Sequence, residues 1–200
     1  NHGALSHHQT SDHQISLADS VCHIAALYNS PDILSLLSDA GANLDILDSE
    51  GRTPLMYAAL KGHFSATKFL AENNANLDLA EPEAKNTALH MASQLGHTKV
   101  VKCLLDNGAQ RDQINSKGET ALHIAATHGH MSILQVLVEN KDFQINLVDN
   151  NKHSALHIAS YFGHPEVVQF LLDKGAQIDL VNSNGESALP SLFNLTEVIF

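Results

Sequence analysis

The chain has 200 residues, 44% of them apolar and 16% charged, too apolar and too lightly charged for a disordered polymer. Eleven Lys and Arg stand against 22 Asp and Glu, a formal net charge of −11, so the basic face that binds phosphate backbones is missing and no nucleic-acid ligand is expected. No apolar run approaches the roughly 18 residues that cross a bilayer, and a soluble chain without membrane insertion is expected.

Residues 1–16 carry His2, His7, His8 and His13 and fit poorly to the pattern of the later residues, reading as an N-terminal segment or the remnant of a preceding unit. A motif then opens at Ser20 and returns at steps of 33, 34, 33, 34 and 33 residues. Its copies are Ser20-Val21-Cys22-His23-Ile24-Ala25-Ala26, Thr53-Pro54-Leu55-Met56-Tyr57-Ala58-Ala59 and Thr87-Ala88-Leu89-His90-Met91-Ala92-Ser93. Thr120-Ala121-Leu122-His123-Ile124-Ala125-Ala126 and Ser154-Ala155-Leu156-His157-Ile158-Ala159-Ser160 come next, and a sixth copy degrades to Ser187-Ala188-Leu189-Pro190. Gly62-His63, Gly96-His97, Gly129-His130 and Gly163-His164 hold one place in four units, where the first has Asn29-Ser30. Apolar pairs such as Val100-Val101 with Leu104-Leu105 then mark one face of a second helix. Gly41-Ala42, Gly108-Ala109 and Gly175-Ala176 close it, as glycine does where the chain turns left-handed. Each unit is thus predicted as a short helix capped by Thr or Ser, a tight turn, a second helix and a polar loop. The predicted units span 17–49, 50–83, 84–116, 117–150 and 151–183, with a partial one over 184–200.

These residues resemble the ankyrin repeat family, whose unit has about 33 residues and a T-P-L-H-x-A signature. The resemblance covers residues 17–200. It implies an all-α solenoid of about five full helix-turn-helix repeats plus a partial C-terminal one, with hairpin-like loops, stabilised by stacking of neighbours. Departures are Ala18 where later units tend to have Gly, one extra residue around Lys141-Asp142-Phe143, and a connection over 80–86 that is one residue longer.

Chemistry finds little foothold. Of 14 histidines, His23, His90, His123, His157, His63, His97, His130 and His164 fall on repeat landmarks, which the resemblance makes structural. Equivalent residues of stacked helices lie about 8–10 Å apart, against zinc–nitrogen bonds of about 2.0–2.1 Å, so the ladder cannot share a metal. No metal or cofactor is expected, nor, for this segment, an enzyme: there is no glycine-rich phosphate loop, HExxH or GxSxG. Cys103 falls where other units have Phe69, Val136 and Phe170, and Cys22 reads as replacing the signature proline; both are expected to be packed. Asp45, Asp78, Asp112 and Asp179 recur as turn formers.

Binding is expected on what the repeat leaves unassigned. The two positions after the Ala-Ala or Ala-Ser pair are Leu27-Tyr28, Leu60-Lys61, Gln94-Leu95, Thr127-His128 and Tyr161-Phe162. In the family this helix end faces a concave groove, and an apolar row there suggests a partner site. Leu27, Tyr28, Leu60, Lys61, Leu95, His128, Tyr161 and Phe162 are the candidates, with Tyr28, Tyr161 and Phe162 as anchors. The loop tips add Glu50, Arg52, Lys117 and His153. Residues 1–50 hold seven acids and no Lys or Arg, which favours a partner protein or peptide with a basic segment. The expected function is a non-catalytic protein–protein interaction module, monomeric, binding through its concave face and loop tips. The alternative is a targeting or substrate-recruiting arm of a larger enzyme, bacterial effector or channel whose activity lies outside this fragment. Two cysteines and no secretion signal point to the cytoplasm or another intracellular space, the host cytosol in the case of an effector. A start at Asn1 and an apolar end at Val198-Ile199-Phe200 suggest a piece of a longer protein.

Overall fold

The computed structural model describes residues 17–139 and 143–188. The readings made for His2, His7, His8, His13, Lys141, Asp142 and Pro190 lie outside these residues. Ten helices run through the described residues in five pairs. They are α1 (Leu17–Leu27) with α2 (Pro31–Asp39), α3 (Pro54–Lys61) with α4 (Phe64–Glu72), and α5 (Ala88–Gln94) with α6 (Thr98–Asp106). The last two pairs are α7 (Ala121–Thr127) with α8 (Met131–Val138), and α9 (Ala155–Tyr161) with α10 (Pro165–Asp173). First helices pack on first helices (α1, α3, α5, α7, α9) and second on second (α2, α4, α6, α8, α10), giving two parallel layers. No pair can bury its apolar face without a neighbour.

Local chemistry sets the boundaries. Thr53, Thr87, Thr120 and Ser154 are the N-caps of α3, α5, α7 and α9, all in extended backbone. The hydroxyls of Thr53 and Ser154 accept the N–H of the third helical residue at 3.3 and 3.4 Å. The first unit departs from the expected opening: α1 begins at Leu17, so Ser20 lies inside the helix. The loops before α3 and α7 need a left-handed residue two places ahead of the cap, Gly51 (φ 71°) and Gly118 (φ 76°). Lys85 (φ 55°) and Lys152 (φ 61°) hold the same place before α5 and α9, whereas Ala18, its counterpart in the first unit, already lies within α1.

Small residues let the first helices approach. Ala25, Ala26, Ala58, Ala59, Ala92, Ala125, Ala126 and Ala159 are all buried. Beside them runs a row of Cys22, Leu55, Leu89, Leu122 and Leu156. Cys22 is packed as expected but stands in register with these leucines; Val21 occupies the proline position. From the second helices, Leu70, Leu104, Leu137 and Leu171 close the core, each fully buried and contributing about 1.5–3 kcal/mol of apolar transfer. Cys103 is also buried beside this row.

Candidate functional site

The loops are built before they can bind anything. Asp48 Oδ1 accepts the N–H groups of Glu50 (2.8 Å) and Arg52 (2.9 Å), closing the loop over 48–52. Asn115, Asp149 and Asn182 repeat the same two bonds at 115–119, 149–153 and 182–186. The loop over 81–86 is one residue longer, and Glu81, with one more methylene than Asp, reaches the Asn86 N–H at 3.4 Å. Burial pushes the Asp48 carboxyl up, but the Arg52 N–H, the Tyr57 hydroxyl and the Glu50 N–H outweigh it and hold Asp48 below the ordinary aspartate value. Tyr57 donates to Asp48 Oδ2 at 2.7 Å, which raises the phenol.

Two sets of histidines tie the loops and turns to neighbouring units. His90 Nδ1 lies 3.2 Å from the Thr87 N–H and 2.9 Å from its hydroxyl. A backbone N–H can only donate, so Nδ1 carries the lone pair and the ring proton sits on Nε2. Nε2 then donates to the Glu119 carbonyl at 3.1 Å, in the next unit. His123 and His157 repeat the arrangement toward His153 and Glu186, and His23 Nε2 reaches the Arg52 carbonyl. Burial holds His90 and His123 below the ordinary histidine value. The turn histidines point the other way along the stack. His63, His97, His130 and His164 donate from Nε2 to Leu27, Leu60, Gln94 and Thr127 of the preceding unit. Asn29, left-handed at φ 54°, fills the glycine place of the first turn and caps α4 through the Ala66 N–H at 3.1 Å.

Asp45 and Asp78 do more than form turns. Their Oδ1 atoms accept the N–H of Asn76 and Gln110 from the next unit, at 2.8 and 2.9 Å. Asn146, at the same place, accepts that of Gln177.

The residues expected to bind fall into four groups. Tyr161, Phe162, Lys117 and His153 come together in one groove of about 890 Å³ between the end of α9 and the loops over 115–119, 149–153 and 182–186. Tyr161 is 77% exposed and Phe162 52%, their rings edge to face at 5.2 Å. Glu119 and Glu186 line the same groove. The Asn182 and Asn184 amides bond the Glu186 carboxylate and hold it below the ordinary glutamate value. The remaining candidates lie outside this groove. Tyr28 and Leu95 are exposed at the ends of α1 and α5, and Lys61 is exposed at the end of α3. His128 is exposed too, stacked on His130 at 5.7 Å. Leu27 and Leu60 are half-buried, and Leu60 packs on the core, so they offer less surface than their sequence places suggest. Arg52 is half-buried and paired to exposed Glu50 at 2.7 Å. Sequence reasoning missed a second exposed apolar row, Leu47, Ile114, Val148 and Val181. Its signal was an apolar residue directly ahead of each Asp or Asn anchor.

The buried Cys103 thiol is pushed up by burial, an environment that suppresses the thiolate. No group of three or more His, Cys, Asp or Glu among the described residues is placed to hold a metal ion.

The sequence pattern described as "Ankyrin repeats (3 copies)" matches residues 22–115 and 96–182. The chain is 36% identical over 94 residues to the transient receptor potential cation channel subfamily A member 1 homolog of Caenorhabditis elegans, a stretch that is 47% of this chain and 8% of the channel. It is 34% identical over 96 residues to the ankyrin repeat and KH domain-containing protein mask of Drosophila melanogaster, 48% of this chain and 2% of that protein. With palmitoyltransferase ZDHHC17 of Homo sapiens it shares 44% identity over 68 residues, 34% of this chain and 11% of the enzyme. The chain therefore spans only a small fraction of the length of these relatives.

Proposed function

The chain belongs to the ankyrin repeat family of protein-interaction modules, and on that premise we propose that a partner protein or peptide docks across the ends of its first helices and its loop tips. The observation that carries this reading is the exposed Tyr161–Phe162 pair, two large rings at the mouth of a groove, where aromatic anchors concentrate binding energy. Leu27, Tyr28, Leu60, Lys61, Leu95 and His128 extend the contact along the helix ends, and Glu50, Arg52, Lys117 and His153 along the loops. Glu119 and Glu186 at the groove and the acid-rich first 50 residues suit a partner with a basic segment, which speeds encounter and rejects acidic competitors. The segment itself does no chemistry and acts as a monomer inside the cell.

A partner captured from native lysate gives the test. Replacing Tyr161 and Phe162 together by Ala is expected to weaken its binding by at least about 2 kcal/mol, the range of interface anchors, with the melting temperature nearly unchanged. A large loss of stability with binding intact would make the pair core residues instead. The relatives favour a second reading, since a channel and a palmitoyltransferase each carry a similar stretch within a much longer chain. The segment would then be the targeting or substrate-recruiting arm of a larger protein whose activity lies outside residues 1–200. The flanking sequence decides between the two.

A further inference from the structure

The stack is not bonded evenly along its loop side. Where two units meet, two kinds of hydrogen bond recur there. One runs from loop to loop: Ser116 N–H to the Ala84 carbonyl (2.8 Å), Asn150 to Lys117 (3.0 Å), and Ser183 to Asn151 (2.9 Å). The other runs from a first-helix histidine to the carbonyl just ahead of the next cap, as His23 to Arg52 and His90 to Glu119. Both are missing, among the described residues, where the unit of α3 meets the unit of α5. Pro82 holds the place of Ser116, Asn150 and Ser183, and a proline has no N–H to give. Met56 holds the histidine place, and its thioether cannot donate. The carbonyls of Arg52, Glu119, His153 and Glu186 each take one loop N–H and one histidine, whereas the Asn86 carbonyl, among the described residues, takes only the Glu81 N–H at 3.1 Å.

The far side of the same junction is intact. His97 donates to the Leu60 carbonyl, Gln110 N–H to Asp78, and α3 packs on α5 and α4 on α6. At the loop tips the Pro82 ring sits close over Gly51, where an added Cβ would run into it, and a proline ring offers no hydrogen bond there. From this asymmetry we infer that the α3/α5 junction is a built-in hinge, with the helix layers as its pivot and the loops over 48–52 and 81–86 free to part. The first two helix pairs and the last three then move as two bodies. The width of the binding face between those loops adjusts to what lies in it, whichever partner that is.

Pulsed electron paramagnetic resonance measures this directly. Nitroxides are placed by Glu50→Cys with Lys117→Cys, which spans the hinge, and by Lys117→Cys with Asn184→Cys, an equal number of units beyond it. The background is Cys22→Ala, Cys103→Val, with folding checked by circular dichroism. The first pair is expected to give the broader distance distribution. Adding Met56→His and Pro82→Ser, which restores both donors, is expected to narrow it to that of the second pair. Equal widths in the starting protein overturn the hinge, and so does a broad distribution that the folded double replacement leaves unchanged. If the double replacement does not fold, the comparison of the two starting pairs decides alone.

Discussion

At the scale of single residues, position and neighbour can be separated in the glycines. Gly41 and Gly62 both sit in left-handed backbone, at φ 82° and 71°. A Cβ on Gly41 would meet nothing within 4 Å, whereas one on Gly62 would lie 2.6 Å from the His97 ring. Gly41→Ala is therefore expected to cost only the left-handed penalty of about 1–2 kcal/mol. Gly62→Ala adds displacement of His97 and the loss of its bond to the Leu60 carbonyl, a further ~1 kcal/mol. Urea unfolding of the two variants checks the difference. Equal losses would mean that the ring moves aside freely and that the turn histidines tie nothing.

Elements draw on such residues in ways that titration reveals. His90 and His123 serve their caps only while Nδ1 is unprotonated, and burial holds both below the ordinary value of 6.5. The unfolded chain takes up these protons first as the pH falls, so between 6.5 and the lower folded values it binds more protons than the native state. Stability from the two rings is therefore complete above about pH 6.5 and declines below it. The urea midpoint is expected to drop between pH 7.5 and 5. A His90→Met, His123→Met variant, which copies Met56, should start less stable at pH 7.5 and lose less over the same span; a slope no flatter than the parent's would assign the pH dependence to other groups. The end of α8 rests on another such residue. Arg111 stands where Leu44, Leu77, Ile145 and Ile178 stand in other units, and its guanidinium donates to the Leu137 carbonyl at 2.9 Å. It thereby satisfies a helix C-terminus that has no closing glycine. Arg111→Ala should speed amide exchange in α8 and leave α6 unchanged; equal exchange in both variant and parent would show that the carbonyl needs no cap. Sequence spacing could find the helices, because caps and apolar periodicity act within one unit. It could not find this bond, or the Asp45 and Asp78 ties, because they join units through atoms 26 to 32 residues apart.

Across the whole molecule the same division of legibility holds. The stack could be read because each copy of the motif repeats the same instruction, and six copies at steps of 33 or 34 residues leave little room for another fold. The candidate site was readable only in part. Tyr161 and Phe162 stand out because nothing in the repeat calls for two rings there, but the half-burial of Leu27 and Leu60 depends on packing between units. That dependence also sets how the molecule fails. In a linear stack each unit is supported by its neighbours, and roughly three are needed for stability. Leu104→Asp places an unpaired charge at a fully buried site in the middle pair, a cost no local partner offsets. It leaves two pairs on either side, too few to stand, and most of the helical circular dichroism is expected to vanish with it. Leu34→Asp makes the same change at an equally buried site in the first pair. Four pairs remain in contact beyond it, so only the share of α1 and α2 is expected to be lost, and the groove at Tyr161 should survive. If both variants unfold the chain completely, the units fold as one block and nearest-neighbour stacking is the wrong description. If both lose only one pair, the units stand more independently than their buried faces allow.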